Sequence, residues 1–517
     1  MIIVNAVRMR PLVARLLVWV LIAVVVFESF SFFSQLGRVV LGENESWLLL
    51  SNVESQLFFS SAAIAPVFAL LWMFSWIVWP LKVFFRLCST RFHRNTEVEC
   101  KKAFFDEILK TIRSALDKVF SPVDFGLNSK ILMVVSFVLV ILVTVYPYMP
   151  ILNPSGKFVG VDVPYYRRQL MELDLFDNLH SGIRKVFFQS PDRPLSLSLL
   201  FLGWKFTWFS AGEAVQFSSI LLGMLLVLAS YFFLRQAGFN GFCVSLTMLF
   251  TAVSYHVTVG MYGGLLANWI GLVFLYLFGG FVFVGLKKES WRFCFAALVF
   301  HSLLLFSHAS TWDMSMGILS VFFLALFLEW LVKRGNSFRP LMLLLILIVG
   351  VSLNILRNLV LGVGFGTVEA LGVGESRISL VNIRNLWQTL ILSLEIEMGI
   401  SFMNPVLLFL AFVGGLAVSF DNRLVSRFFT VCLIASSIPF IFGDQVVQTR
   451  ILYDLPVHIF SIFGLAVLLG FVERLVKDQK VKERISSLLV LLVIFVNLNY
   501  AMRCSFYLTQ VDFFPVR

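Results

Sequence analysis

The chain is 517 residues long, 59% hydrophobic and 14% charged, with a formal net charge of +11. Soluble domains are roughly half apolar and about a quarter charged, so this chain has too few polar side chains to cover a water-facing surface, and a soluble fold is excluded. Lys and Arg collect in short links between apolar stretches, which makes the charge a signal of topology and not a nucleic-acid footprint.

A helix that crosses a bilayer needs about 20 mostly apolar residues. Runs of this kind predict spans near 12–34, 57–79, 131–149, 213–234, 241–259, 265–286, 291–307, 311–332, 340–361, 402–420, 424–442, 451–472 and 485–503. The expected fold is therefore an all-α polytopic membrane protein with about 13 transmembrane helices. Arg8, Arg10 and Arg15 precede the apolar run 16–27 as in a secretory leader, but no small-residue cleavage site follows, so the run is read as a retained first span. Asn44-Glu45-Ser46 in the next loop is an acceptor-type sequon, a triplet that is frequent by chance.

Residues 101–120 place Phe104, Phe105, Ile108, Ile112, Leu116 and Val119 on one helical stripe, with Lys and Asp opposite. A membrane-surface helix is expected, either a passive connector resting on headgroups or an element that senses lipid or a partner. With the N-terminus cytoplasmic, the short inside links carry Arg235, Lys287, Lys288, Arg292, Lys333, Arg334, Arg339, Arg423, Arg427 and five basic residues between Glu473 and Arg484, against Arg450 alone in the short outside links. That asymmetry predicts a multi-pass cell-membrane protein whose last residues, 512–517, are extracytoplasmic.

The expected organisation is two N-terminal spans over 1–88, a basic cytoplasmic link over 89–130, a core over 131–503 and an extracytoplasmic tail over 504–517. Two outside segments are too long and polar for turns: the large first loop of the core, 150–212, and 362–401. Within them 194–209 and 386–400 are apolar but short, and are read as helices at the interface or entering partway. Cys243, Cys294 and Cys432 fall in spans, Cys88 and Cys100 in the basic link, and Cys504 faces no outside cysteine, so neither a disulfide framework nor a metal-binding cysteine motif is expected.

Candidate chemistry sits at the outer boundary. Asp162, in Gly160-Val161-Asp162-Val163-Pro164-Tyr165-Tyr166, can deprotonate an acceptor hydroxyl or help to hold a divalent ion, or it can simply cap a helix with Pro164 in its first turn. Arg193, closing the same loop, can grip a phosphate or snorkel to headgroups. Arg450 and Asp454 lie one turn apart and are read as facing a wet cavity or as a structural ion pair, and Arg357 is a second cation at membrane depth. His301 and His308 are about 10 Å apart by helical rise, too far to share one ion, so packing is expected for them, with His308 the better placed for chemistry. Glu395 and Glu397 point to different helix faces, and the glycines of 260–264 serve a turn. There is no Walker A loop and no dinucleotide fingerprint.

Four stretches in this order, GVDVPYYRR, DRPLSLSLL, GMYGGLLANWIGL and RILYDLPVHIF, resemble the membrane glycosyltransferases of the GT-C fold, which include oligosaccharyltransferases, protein mannosyltransferases and aminoarabinose transferases. The resemblance covers roughly residues 131–503. It implies transfer of a sugar from a polyprenyl-phosphate carrier to a glycan, lipid or protein acceptor on the extracytoplasmic face. It maps the family's loop acid to Asp162, its supporting residues to Tyr165 and Tyr166, and a carrier-phosphate contact to Arg450, with Arg193 and Arg357 as further candidate cations. Asp162 has no acidic neighbour two positions away and the 260–264 turn has no acid pair, so no metal ligand set is assigned and a divalent cation enters only as Asp162's alternative role.

Three other readings share the topology. A transporter or lipid-linked glycan flippase is expected to show related halves and charge at the midplane, whereas no internal repeat is found here. A polysaccharide polymerase or ligase shares the large outside loop, and a non-catalytic assembly subunit is the third.

Overall fold

The structure is a computed structural model and describes residues 11–41, 67–75, 97–120, 129–175, 179–189, 193–333, 336–361, 404–442 and 445–510. Most of the span expected over 57–79, the segment 362–401 with Glu395 and Glu397, the Asn44 sequon, Cys88, residues 190–192 and the tail 512–517 lie outside the described residues.

Among the described residues the regular structure is helical: α1 (Pro11–Leu41), α2 (Glu97–Val119), α3 (Ser129–Val145), α4 (Val163–Asp174), α5 (Leu179–Gln189), α6 (Pro194–Lys205), α7 (Ala211–Ala237), α8 (Gly241–Ala252), α9 (Tyr255–Gly263), α10 (Leu266–Lys288), α11 (Trp291–Ser307), α12 (Ala309–Lys333), α13 (Phe338–Leu361), α14 (Pro405–Ser419), α15 (Leu424–Phe442), α16 (Gln445–Asp454), α17 (Val457–Leu475) and α18 (Gln479–Gln510). Nine helical stretches among them are long and apolar enough to cross a membrane, with α8 and α9 together making one. The chain is thus an all-α polytopic membrane protein, but thirteen separate spans are not found among the described residues. The runs expected at 402–420 and 424–442 form a pair bent by 119°, and α11, at 17 residues, falls below the length of a full span.

The run expected at 451–472 is cut at Leu455-Pro456 into α16 and α17. Pro456 lacks an N–H and disfavours the helical conformation at Leu455. The carbonyls freed by the break are taken up from outside the helix: Tyr255 Oη donates to Leu452 O at 3.0 Å and also to Leu455 O.

Local signals define α7 at both ends. Ser210 and Glu213 form a capping box, with Glu213 N–H donating to Ser210 Oγ at 3.3 Å and Ser210 N–H to Glu213 Oε2 at 2.8 Å, and Gly238 ends the helix at φ +95°. At that end Lys287 reaches Gln236 O, so α10 finishes where α7 finishes. The helices run alternately between this basic end, which also holds the Lys118–Glu473, Arg423–Asp117 and Arg427–Glu329 pairs, and an opposite loop end carrying α4 to α6.

Apolar helices sort themselves by which stripe they bury. α1 turns Ala14, Val18, Leu21 and Val25 inward, at helical spacing, and leaves Leu12, Leu16, Trp19 and Val24 exposed as lipid-facing surface. It packs along α18, where Asn499 Nδ2 donates to Glu28 Oε2 at 2.6 Å, the kind of polar contact that joins helices in lipid. α14 and α17 cross closest of all: a Cβ on Gly414 would collide with Phe460 O, and one on Gly464 with Leu410 O.

The amphipathic helix α2 is not a helix resting on headgroups through its apolar face. Ile112, Ala115, Leu116 and Val119 are buried in the protein core, and the helix packs against α17. From Ile108 to Val119 protein covers the stripe found in the sequence, and Asn240 Nδ2 donating to Lys118 O holds the end of the helix.

Candidate active site

The loop end is assembled around a turn. Gly160 (φ +127°) lets the chain pass against the α9–α10 corner, where Val161 N–H donates to Tyr262 O at 2.9 Å and Asp162 N–H to Gly263 O at 3.0 Å. Asp162 stands at the N-cap of α4 with Pro164 in the first turn, as the capping alternative expected, but its side chain makes no capping hydrogen bond. The half-buried carboxylate is therefore left available. Burial raises its pKa above the ordinary carboxylate value, and the charge of Arg193 opposes that shift.

Arg193 is placed by α6. Pro194 opens that helix, Arg193 sits at its N-cap, and Ser196 Oγ donates to Ser307 O at 2.9 Å, docking the helix against the end of α11. The guanidinium lies 5.6 Å from the centre of the Tyr165 ring, and its Nη1 donates to Tyr166 Oη at 3.4 Å. The Tyr166 oxygen also accepts from Ala267 N–H at 3.1 Å, satisfying a first-turn donor of α10 whose N-cap residue, Leu265, offers no side-chain partner. α6 itself is docked on α4, α10 and α11, and the chain just after it exposes Phe206 (84%) and Trp208 (96%), as aromatic residues at a membrane interface do.

Arg450 joins through a second group of side chains. Its Nη1 donates to Ser310 Oγ at 2.7 Å, while Asp454 Oδ2 accepts from Thr311 Oγ1 at 2.8 Å, so the two charges engage the start of α12 instead of forming the ion pair offered as one alternative. Thr311 Oγ1 in turn lies 2.8 Å from His308 Nδ1. The charges of Arg193 and Arg450 both act on His308.

The six candidate residues thus divide. Asp162, Tyr165, Tyr166 and Arg193 share the loop end, Arg450 engages Ser310 at the start of α12, and Arg357 belongs to a neighbouring cluster. The described contacts of Arg357 run to Leu305 O at 3.4 Å, to Asn358 and electrostatically to Asp313, and none runs to Asp162. His301 is packed, as expected, stacked on Phe278 with Nε2 3.2 Å from Ser315 Oγ.

Sequence reasoning missed Thr311 and Ser310, whose only signal was their place between His308 and Asp313, and the pair His256 and His458. The last two lie wholly inside the bundle with ring centroids 5.1 Å apart and all four ring nitrogens unpartnered. A cavity of about 50 Å³ lined by Tyr276, Ser315, Cys432, Asp454 and Leu455 adjoins the site from within.

Among the described residues no three His, Cys, Asp or Glu side chains are grouped so as to hold one metal ion.

No family model matches the chain, and no curated protein sequence matches it. Among solved structures it is similar to the archaeal oligosaccharyltransferase AglB from Archaeoglobus fulgidus, in complex with an inhibitory peptide and a dolichol-phosphate, with a TM-score of 0.45 and 12% identity over 73% of this chain and 56% of that one. The chain therefore spans little more than half the length of that transferase, and neither residue roles nor activity are carried over from it. The chain is a polytopic all-α membrane protein, and one solved structure to which it is similar is an oligosaccharyltransferase.

Proposed function

We propose that the chain is a membrane glycosyltransferase that moves a sugar from a polyprenyl-phosphate carrier to an acceptor hydroxyl or amide, with the loop end facing away from the cytoplasm. The observation that carries this reading is the juxtaposition of Asp162 and Arg193: a carboxylate left free at a helix start, beside a guanidinium held on two tyrosines, at the boundary of lipid-facing helices. Such a pair offers a base for an acceptor and a cation for a leaving phosphate. A lipid-phosphate donor carries its own activated leaving group, which fits a chain with no nucleotide-binding motif. In this reading Tyr165 and Tyr166 position Arg193, Arg450 supplies a second cation, and Arg357 acts outside the immediate site.

The test is transfer of labelled sugar from a panel of polyprenyl-phosphate monosaccharides by the purified chain in lipid, compared with an equally folded Asp162→Asn variant. The expected result is transfer by the parent protein and a loss of about 10²- to 10⁴-fold in the variant. Equal transfer by both proteins would remove Asp162 from the chemistry, and none by either would favour the carrier or assembly-subunit alternatives.

A further inference from the structure

The corner between α6 and α7 has a tied backbone and two uncovered aromatic side chains. Phe206 N–H donates to Leu202 O at 3.1 Å, and Thr207 donates to Trp204 O through its N–H at 3.0 Å and its Oγ1 at 2.9 Å. Trp204 Nε1 donates to Phe209 O at 3.0 Å, and the Ser210–Glu213 capping box then starts α7. The exposure of Phe206 and Trp208 is therefore built into an ordered turn and does not come from slack chain. Two large apolar rings presented together mark an interaction surface.

What the corner adjoins identifies the partner. α7 is long and apolar enough to cross a membrane, and its exposed Phe217, Leu221, Leu225 and Leu228 fall on one helical face, so that face meets lipid. Phe209 stacks on Phe217 with ring centres 4.7 Å apart, which makes the corner a continuation of the lipid-facing stripe. Seven residues separate Ser210 from Phe217, about 10 Å of helical rise, so the corner lies toward the headgroups from the apolar stripe. Cations stand beside it on aromatic rings. Arg167 is 5.6 Å from the centre of Phe158, which lies against Gly212 in the first turn of α7, and Lys205, also paired with Asp174, is 4.5 Å from the centre of Trp204. Rings at the level of the headgroups with cations at their edge match a phospholipid leaflet.

α6 connects this corner to Arg193. The helix begins where Ser196 Oγ donates to Ser307 O at the end of α11 and finishes where α7 starts, so it lies across helix ends and not along them. We propose that the α6–α7 corner is a phospholipid-binding anchor, in which Phe206 and Trp208 insert at the headgroup level of the leaflet at the loop end and hold α6 in the plane of the interface. This placement does not depend on which group the loop end transfers.

The test uses the whole chain in phosphatidylcholine nanodiscs, with bromine carried on the acyl chains either near the headgroup or near the chain end. Subtracting the emission of Trp208→Phe from that of the parent protein isolates Trp208, and its high exposure means that the substitution leaves packing undisturbed. Trp208 emission is expected to be quenched more by bromine near the headgroup than by bromine near the chain end, and only weakly by aqueous iodide. Strong iodide quenching without lipid quenching would place the corner in water, and quenching by neither would mean that protein or a second copy covers it. Stronger quenching from the chain end would sink the corner into hydrocarbon. Each of these three results would overturn the proposal. The anchoring itself is read by amide hydrogen exchange in Phe206→Ser/Trp208→Ser: amides of 194–205 should exchange severalfold faster than in the parent, with α10 unchanged. Parent-like exchange in α6 would mean that the rings touch lipid without holding the helix, and the anchor would be discarded.

Discussion

Asp162 and Gly263 are joined main chain to main chain, the Asp162 N–H donating to the Gly263 carbonyl at 3.0 Å. The carboxylate is thus placed by a turn between two other helices, α9 and α10, and not by its own helix alone. Next to it Gly264 takes φ +65°, and a Cβ there would lie 2.9 Å from Asp162 N and 3.0 Å from Val163 N, both main-chain atoms that cannot swing aside. Gly264→Ala should therefore shift Asp162. The left-handed conformation costs a side-chain-bearing residue about 1–2 kcal/mol, and a displacement near 1 Å at a reacting group costs on the order of 10²-fold in rate. The measurement is transfer rate alongside the unfolding temperature. A variant that melts a few degrees lower yet transfers at the parent rate would show that the turn does not position the acid.

The pH dependence follows from the neighbours of Asp162. Burial holds its pKa above the ordinary carboxylate value while Arg193 pulls it down. A general base works as the carboxylate, so kcat/KM should fall as the pH drops through that raised pKa. Arg193→Gln removes the lowering influence, so the acid limb of the profile should move to higher pH, in addition to any loss of carrier affinity. A limb that stays in place, or moves to lower pH, would mean that the titrating group is not Asp162 beside Arg193.

The crossing of α14 and α17 gives a test of the fold independent of function. Ala at Gly414 would push a methyl group into the Phe460 carbonyl, and the two helices would have to separate. Overpacking of this kind costs about 1–3 kcal/mol. Gly317, in α12, has nothing within 4 Å of its would-be Cβ, so Gly317→Ala should be neutral or stabilising by up to about 1 kcal/mol through helix propensity. Thermal unfolding in detergent should separate the two variants by several degrees, and equal melting would argue against the close crossing.

These residues also show what the sequence could reveal. Hydropathy located nine long apolar stretches among the described residues because lipid demands apolar surface wherever a helix is long, and Asp162 and Arg193 stood out as charges beside apolar runs. Periodicity does not say what covers an apolar stripe, so α2 read as a lipid-facing helix when α17 in fact covers it. Arg450 and Asp454 read as facing a wet cavity or as an ion pair, because charge at membrane depth is costly and residues one turn apart are neighbours on an isolated helix. Ser310 and Thr311 come from another helix, and no local pattern announces them. His256 and His458 were invisible for the same reason: each is a single polar residue inside an apolar run, and only tertiary packing places the two rings in contact.

The docking of α2 separates apolar contact from charge. Arg423 pairs with Asp117 and Lys118 with Glu473, but all four side chains are at least one-third exposed, and such pairs contribute about 1 kcal/mol or less. Leu116, on the opposite face, is fully buried in the core. Leu116→Ala should cost about 2–5 kcal/mol, most of it felt where α2 meets α17, whereas Asp117→Asn should change stability by less than about 1 kcal/mol. Limited proteolysis at the link before α3 reads this directly, because a helix released from the bundle exposes its connections to a protease. Faster cleavage in Leu116→Ala with parent-like cleavage in Asp117→Asn would mean that apolar packing holds α2. The reverse order would make the ion pairs the attachment and the buried stripe incidental.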